Sequence, residues 1–408
     1  MTDPKSFRKG ALTGVLAMCI IGAFILVGMK VGDFMFAGKS KHDAESVSEV
    51  VLEKDTQKKL NKLEKYIDRY YLYEDEIDED YRQEGIYTGF IESLGDPYSV
   101  YYGKKATEAL KETMTGEYDG IGAVLSQDEE TGMVRVIKVY KESPAEKAGL
   151  QRDDLIVKVD GKKTEDNDLN EVVTWIRGEK GTEVTLTVKR SDKEGAEKEM
   201  KLTAVRAAIE VETVDYKMLD GKIGYIAVAE FEQVSMDQFK QAVDKLDADG
   251  ARGLIIDLRD NPGGDVDTVC SMLDYLLPKG TTVFTKDKYD KREDYTSDEE
   301  HKYPKPVHVL VNGNSASASE IFSGAIQDFG AGKIIGETTY GKGVMQQIID
   351  LRDGTSLRLT VAEFFTPKGH KINKKGVKPD VEVKSGAGDE YGEPAKDQQL
   401  QKAIEEFH

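Results

Sequence analysis

The chain opens with an uncharged apolar run over residues 10–29, preceded by Lys5, Arg8 and Lys9. At about 1.5 Å per helical residue such a run spans a hydrocarbon layer of about 30 Å. A cleaved leader has a shorter apolar stretch and a small-residue exit, whereas Lys30 here leads into Val31-Gly32-Asp33-Phe34-Met35-Phe36. Leu16-Ala17-Met18-Cys19 is similar to a lipoprotein site, but its methionine is bulky and further apolar residues follow. The pattern predicts an uncleaved single-pass anchor, with a cytoplasmic N-terminus and the rest of the chain extracytoplasmic.

After a polar stretch over 40–58, Leu60, Leu63, Tyr66, Ile67, Tyr70 and Tyr71 recur at helical spacing, giving a face for packing or for a second copy of the chain. Residues 86–94 predict a short helix stopped by Gly95-Asp96-Pro97. From about residue 113 short strands and turns take over. Gly120 and Gly122 precede the alternating strand that begins at Ala123 and Val124, where bare N–H groups suit a carboxylate. Ser143-Pro144-Ala145-Glu146-Lys147-Ala148-Gly149-Leu150 reads as a capped short helix, and Leu169, Val172, Val173 and Ile176 share one face of another. Beyond residue 207 strands and helices alternate, with strands at 222–228, 253–259, around Val309 and at 333–336. Such alternation predicts an α/β layer with crossover helices on the sheet and functional loops at its strand ends.

Composition narrows the function. With 408 residues the chain holds two or more domains, and a net charge of -19 argues against nucleic acid, which needs clustered cations. Cys19 and Cys270 are the only cysteines, one of them inside the apolar run, so no structural disulfide is expected. No Cys/His cluster has metal-ligand spacing, and no cofactor is implied. None of the five histidines lies in a Ser-His-Asp elbow. His308 falls in an apolar strand and reads as a buried core residue, while His370 reads as exposed.

Ser317, in the small-residue run Ser315-Ala316-Ser317-Ala318-Ser319-Glu320, and Lys342, in Tyr340-Gly341-Lys342-Gly343, suggest instead a serine nucleophile with a lysine base. A lysine with a pKa of about 10.4 is neutral roughly once in 2,000 molecules at pH 7, so the base must be desolvated. Gly263 or Gly264, at a strand exit, and Ala318 are candidate N–H donors to a tetrahedral oxyanion. The run Gly336 to Gly343 also approaches a nucleotide-binding loop. It has glycine where magnesium needs Ser or Thr, and a strand-like sequence follows in place of a helix.

Two resemblances follow from these residues. The Gly120-Ile121-Gly122-Ala123 loop and the Ser143 to Leu150 helix resemble a bacterial-type PDZ domain. Ser315 to Ile321, Asp257 to Gly264, Gly336 to Gln346 and Thr366-Pro367-Lys368-Gly369 are similar to the carboxyl-terminal processing (tail-specific) protease family. The implied organisation is a cytoplasmic N-terminus and anchor (1–40), a helical region (41–112), a PDZ domain (113–205), an α/β serine peptidase core (206–383) and a helical tail (384–408). The resemblance implies Ser317 as nucleophile, Lys342 as general base, Gln346 as the residue orienting it, and Gly263 or Gly264 with Ala318 as oxyanion donors. It also implies an endopeptidase that cuts exported or envelope proteins near apolar C-termini, works as a homodimer and answers to an adaptor or regulator. The PDZ groove would use Gly120, Ile121, Gly122, Ala123, Val124, Leu169, Val172, Val173 and Ile176. Arg177 is the candidate for passing tail binding to the core. A membrane-anchored PDZ adaptor without peptidase activity is the alternative.

Overall fold

The computed structural model describes residues 54–407 apart from 74–76, 129–130, 166, 192–196 and 387. The apolar run over 10–29 lies outside them, and among the described residues no helix is long and apolar enough to cross a membrane. Two helices come first, α1 (Lys54–Tyr70) and α2 (Glu79–Glu92). Asp78 starts α2 by accepting the Tyr81 N–H, so this helix begins earlier than residue 86. Leu63, Tyr66 and Tyr70 of α1 and Ile86 and Phe90 of α2 are exposed, leaving the apolar faces of both helices uncovered in the single chain.

The strand β1 (Val100–Tyr102) and helix α3 (Lys104–Thr115) follow. The strand departs from the helical region expected over 41–112, whereas α3 falls largely within it and runs three residues past its end. The helix α3 buries Thr107, Leu110 and Met114 and ends at Gly116, whose φ of 72° is the left-handed cap that glycine adopts without strain.

The PDZ-like unit comes next. It contains β2 (Glu117–Gly120), β3 (Ala123–Gln127), β4 (Val134–Val139), α4 (Pro144–Lys147), β5 (Leu155–Val159), β6 (Lys162–Lys163), α5 (Leu169–Ile176), β7 (Glu183–Ser191), β8 (Glu197–Val205) and β9 (Ala207–Glu210). Its sheet runs β3-β4-β5-β7-β8, with β6 on β5, so β3 is an edge open to an added strand. The strands β2 and β9 pair as a separate antiparallel ribbon with Gly120 opposite Ala207, carrying the chain into the unit and out of it. Ile121, Val172 and Ile176 are 2%, 0% and 5% exposed and belong to the unit's core. The groove expected from the sequence is corrected accordingly: Val172 and Ile176 face the unit's core, Gly120 and Gly122 are buried with Ile121, and Ala123, Val124, Leu169 and Val173 remain half-accessible.

The rest builds two sheets from β10 (Val214–Leu219), β11 (Ile223–Val228), α6 (Ser235–Ala248), β12 (Leu254–Asp257), α7 (Val266–Leu276), β13 (Gly280–Asp287), β14 (Arg292–Ser297), β15 (Val307–Val311), α8 (Ala318–Phe329), β16 (Ile334–Gly336), β17 (Val344–Asp350), β18 (Ser356–Phe365), β19 (Val381–Glu382) and the closing helix α9 (Gln398–Glu405). One sheet is ordered β10-β11-β12-β15-β16-β19, parallel except at β10. Its central strands are near-continuous apolar runs because both faces are covered. Ile226, Val228, Leu254, Ile256, Val307 and Val309 meet α6, α7 and α8 through residues such as Phe239, Leu273 and Phe322. Ile223, Tyr225, Ile255 and Leu310, on the opposite face, meet Leu400 and Ala403 of α9. His308 lies on this second face, where its Nδ1 accepts the Lys333 N–H, and it stands apart from the serine. A second, antiparallel sheet of β1-β18-β13-β14, with β17 on β18, was not legible in the βα alternation.

The closing helix is tied to the sheet by charge. Arg259, just past β12, donates to Asp257 Oδ1 at 2.9 Å and to Asp397 Oδ1 and Oδ2 at 2.8 and 2.7 Å, with its side chain fully buried. The Tyr225 hydroxyl donates to Asp257 Oδ2 at 2.6 Å, and the Tyr391 ring lies 3.8 Å from the guanidinium carbon. Removing the cation leaves two buried carboxylates facing each other. Arg259→Met is therefore expected to lose about 3–5 kcal/mol of stability, read by chemical denaturation, with α9 detaching first in hydrogen exchange.

Candidate active site

The strands β12, β15 and β16 are parallel neighbours, and the loops leaving their carboxyl ends carry Gly263-Gly264, Ser317 and Lys342 in turn. This is the edge at which open α/β sheets bind ligands. The three segments line one narrow cleft with Thr113, Met114 and Phe231. The free space between them is about that of one water molecule.

Ser317 precedes the first residue of α8 with φ 55° and ψ -113°, a conformation that costs a non-glycine residue about 1–3 kcal/mol and is met at nucleophile turns. It is 1% exposed, and its Oγ has no hydrogen-bond partner among the described residues. The strain is held by Glu320, one turn into the helix. Glu320 Oε2 accepts the Ser317 N–H at 2.9 Å and the Lys342 N–H at 2.8 Å, while Oε1 accepts the Gly341 N–H at 2.7 Å and the Thr339 hydroxyl at 2.5 Å. Burial pushes this carboxyl above its ordinary range and the four donors oppose the rise. One buried side chain thus fixes the serine and the lysine loop together. The signal for Glu320 lies in the sequence itself, since Ser-x-x-Glu ahead of an apolar helix is a readable capping pattern.

Lys342 is 3% exposed, and its amine lies 5.0 Å from the centre of the Tyr98 ring. Burial, then the positive charge of Arg358, lower its pKa to about 8, against the pull of Glu320 and Asp96. About one molecule in ten then carries the neutral amine at pH 7. Arg358, on β18, is itself buried and donates from Nε to the Tyr98 carbonyl at 3.0 Å. Tyr98 and Arg358 went unnoticed in the sequence because they come from segments 260 residues apart. Gln346, on β17, is 1% exposed and donates from Nε2 to Thr360 Oγ1 at 3.2 Å and to the Val344 carbonyl at 3.3 Å.

The two candidate glycines differ. Gly263 donates its N–H to Asn261 Oδ1 at 2.8 Å, which occupies it, whereas the N–H groups of Gly264 and Ala318 have no protein acceptor among the described residues. Both glycines are at positive φ, 113° and 144°. A Cβ on Gly263 would fall 2.8 Å from that of Ser317, and one on Gly264 would fall 2.2 Å from the Phe231 carbonyl. Only glycine lets this loop approach so closely. The loop after Gly336 continues into the strand β17 with no helix at Lys342, so no helix N-terminus is present there for a nucleotide phosphate.

Arg177, at the end of α5, pairs with Glu112 on α3 and lies 4.7 Å over the Tyr118 ring. Its distance from the serine is bridged by α3, whose last turn supplies Thr113 and Met114 to the cleft. Exchange of Glu320 for Gln turns an amide toward two of the four N–H and O–H donors. Glu320→Gln is expected to lose about 3 kcal/mol of stability in thermal or urea unfolding.

Residues 222–383 match the model of peptidase family S41, and residues 135–190 match a PDZ domain. A probable CtpA-like serine protease of Staphylococcus aureus (strain N315) is 39% identical over 338 residues, covering 81% of this chain and 66% of that protein. The carboxy-terminal processing protease CtpA of Bacillus subtilis (strain 168) is 38% identical over 312 residues, covering 76% and 66%. The chain thus spans just under two thirds of the length of these relatives. Among solved structures, a putative S41 protease of Bacteroides fragilis NCTC 9343 shares the fold at a TM-score of 0.52 and 19% identity, over 84% of this chain and 96% of that one.

Proposed function

Because the chain belongs to the carboxyl-terminal processing proteases of peptidase family S41, we propose that it is a serine endopeptidase whose PDZ domain binds the apolar tails of its substrates. The observation that carries this reading is the meeting of an unpartnered, strained Ser317 with a buried lysine whose pKa is lowered to about 8, in a cleft where two backbone N–H groups lack acceptors. Lys342 takes the Ser317 proton as the hydroxyl attacks the peptide carbonyl. The Gly264 and Ala318 N–H groups stabilise the oxyanion. The protonated lysine then returns its proton to the leaving amine, and water releases the acyl group by the same route in reverse. Gln346 orients the lysine from β17.

The cleft is too narrow for a peptide in this form, so the last turn of α3 withdraws for catalysis. The pair between Arg177 and Glu112 links that turn to the PDZ helix, and tail binding beside β3 acts through it. The uncovered faces of α1 and α2 suit a homodimer. The apolar run at residues 10–29 supports a single-pass membrane anchor with the peptidase outside the cell, acting on exported or envelope proteins.

Ser317→Ala is expected to lower kcat/KM on an apolar-tailed peptide by about 10⁴-fold or more, and retention of activity would exclude the mechanism. The neutral lysine is the reactive form, and its fraction grows as pH rises through about 8. The kcat/KM profile should therefore climb about tenfold per unit below pH 8 and level off above it. Arg358→Gln removes a charge that disfavours the protonated lysine, so the climbing limb should move to higher pH. Arg177→Ala should erase the advantage of a free C-terminal tail over the same peptide amidated, measured as the ratio of their kcat/KM values.

A further inference from the structure

The cleft beside Ser317 has an acidic wall with no part in the steps described above. Glu230 and Glu232 flank the buried Phe231, Asp265 follows Gly264, and all three line the cleft. Glu232 is 8% exposed and Asp265 5%. Glu232 Oε2 and Asp265 Oδ1 receive no hydrogen bond from any described residue. The other oxygen of Asp265 is in use, accepting the Thr268 N–H and hydroxyl, each at 2.8 Å, at the start of α7. Burial pushes Glu230 up to about 7 against a hydrogen bond from Glu232, and burial, repulsion from Glu230 and that same hydrogen bond push Glu232 up to about 8, so the pair shares a proton at neutral pH that an incoming cation displaces. None of the three forms an ion pair among the described residues.

A buried carboxyl oxygen without a donor carries its full desolvation cost. The group that supplies both donors and compensating charge is an ammonium or a guanidinium. The place of the wall fixes whose cation that is. The Phe231 N–H donates to the Gly263 carbonyl at 2.9 Å, so the two glutamates adjoin the oxyanion loop on one side as Asp265 does on the other. Gly116, at the end of α3, packs directly on Glu232, where an added Cβ would come 2.4 Å from Oε2. The withdrawal of α3 that admits a peptide therefore also uncovers this carboxyl.

We propose that Glu230, Glu232 and Asp265 form a subsite that takes a lysine or arginine side chain of the substrate next to the scissile bond. The proposal rests on the peptidase reading and adds a specificity to it. The test is a series of internally quenched peptides of one sequence and one apolar tail, with a single lysine walked across the positions flanking the cleaved bond. Each member is matched with norleucine, which has the length of lysine without its charge. At one position the lysine peptide should exceed its norleucine partner in kcat/KM by about tenfold, with arginine behaving alike.

In Glu232→Gln, and in Asp265→Asn, which keeps a competent helix cap, that ratio should fall toward one. In Glu232→Lys the same position should prefer glutamate to lysine. Ratios taken within each folded variant cancel any general loss of activity. Ser317-dependent cleavage of norleucine peptides with no lysine preference at any position would overturn the subsite and leave the peptidase standing. A preference unchanged in both neutral variants would overturn it equally. Absence of Ser317-dependent cleavage of every peptide would remove the peptidase reading and the subsite with it.

Discussion

Glu320 is the side chain on which the arrangement of the site turns, because its two oxygens hold groups that would otherwise have no reason to meet. A serine at positive φ relaxes unless its neighbours over-determine it, and a glycine-flanked lysine loop has few contacts of its own. The carboxylate supplies both constraints from a single point, taking N–H groups from Ser317, Gly341 and Lys342 and the Thr339 hydroxyl. Thr339 in turn accepts the Val377 N–H at 2.7 Å, which carries the restraint toward β19. Because Glu320 is fully buried, each of these bonds is stronger than at the surface, and the loss of any one is correspondingly costly.

The electrostatics of the lysine divide between this frame and the second sheet. Glu320 and Asp96 draw the proton toward Lys342, and desolvation and Arg358 drive it away. The outcome is a lysine with a pKa of about 8 that is still mostly charged at pH 7. That balance depends on β18, which places Arg358 beside Tyr98, and β18 is also the strand that receives β1. The antiparallel sheet is thus part of the chemistry as well as of the packing.

How much of this could be read from the sequence varies with the distance over which each feature is built. Segments that carry their own signal were readable. The apolar β12 and β15, the helix after Gly263-Gly264, and the small-residue run around Ser317 each declare themselves within about ten residues. The bounds of helix α3 did not, because its apolar residues Leu110 and Met114 are too few to make a stripe and Gly103 at its start offers no side-chain cap. The groove face of α5 misled for a different reason: spacing tells which residues share a face, not what covers it, and Val172 and Ile176 turn into the core. Tyr98, Arg358 and the wall of Glu230, Glu232 and Asp265 are assembled by tertiary contact from separate segments. No periodicity in the chain points to them.

The ribbon of β2 and β9 gives the molecule a further property. Its two strands leave the peptidase side by side and stay in register up to Gly120 and Ala207, so everything between those residues hangs from a single pair of adjacent chain ends. A turn of two or three residues would close that gap. The PDZ-like unit is therefore a cassette. A chain joined directly across the ribbon would keep the cleft and the strand edges of the peptidase, and a different binding module could be spliced at the same seam without altering a residue that touches the serine.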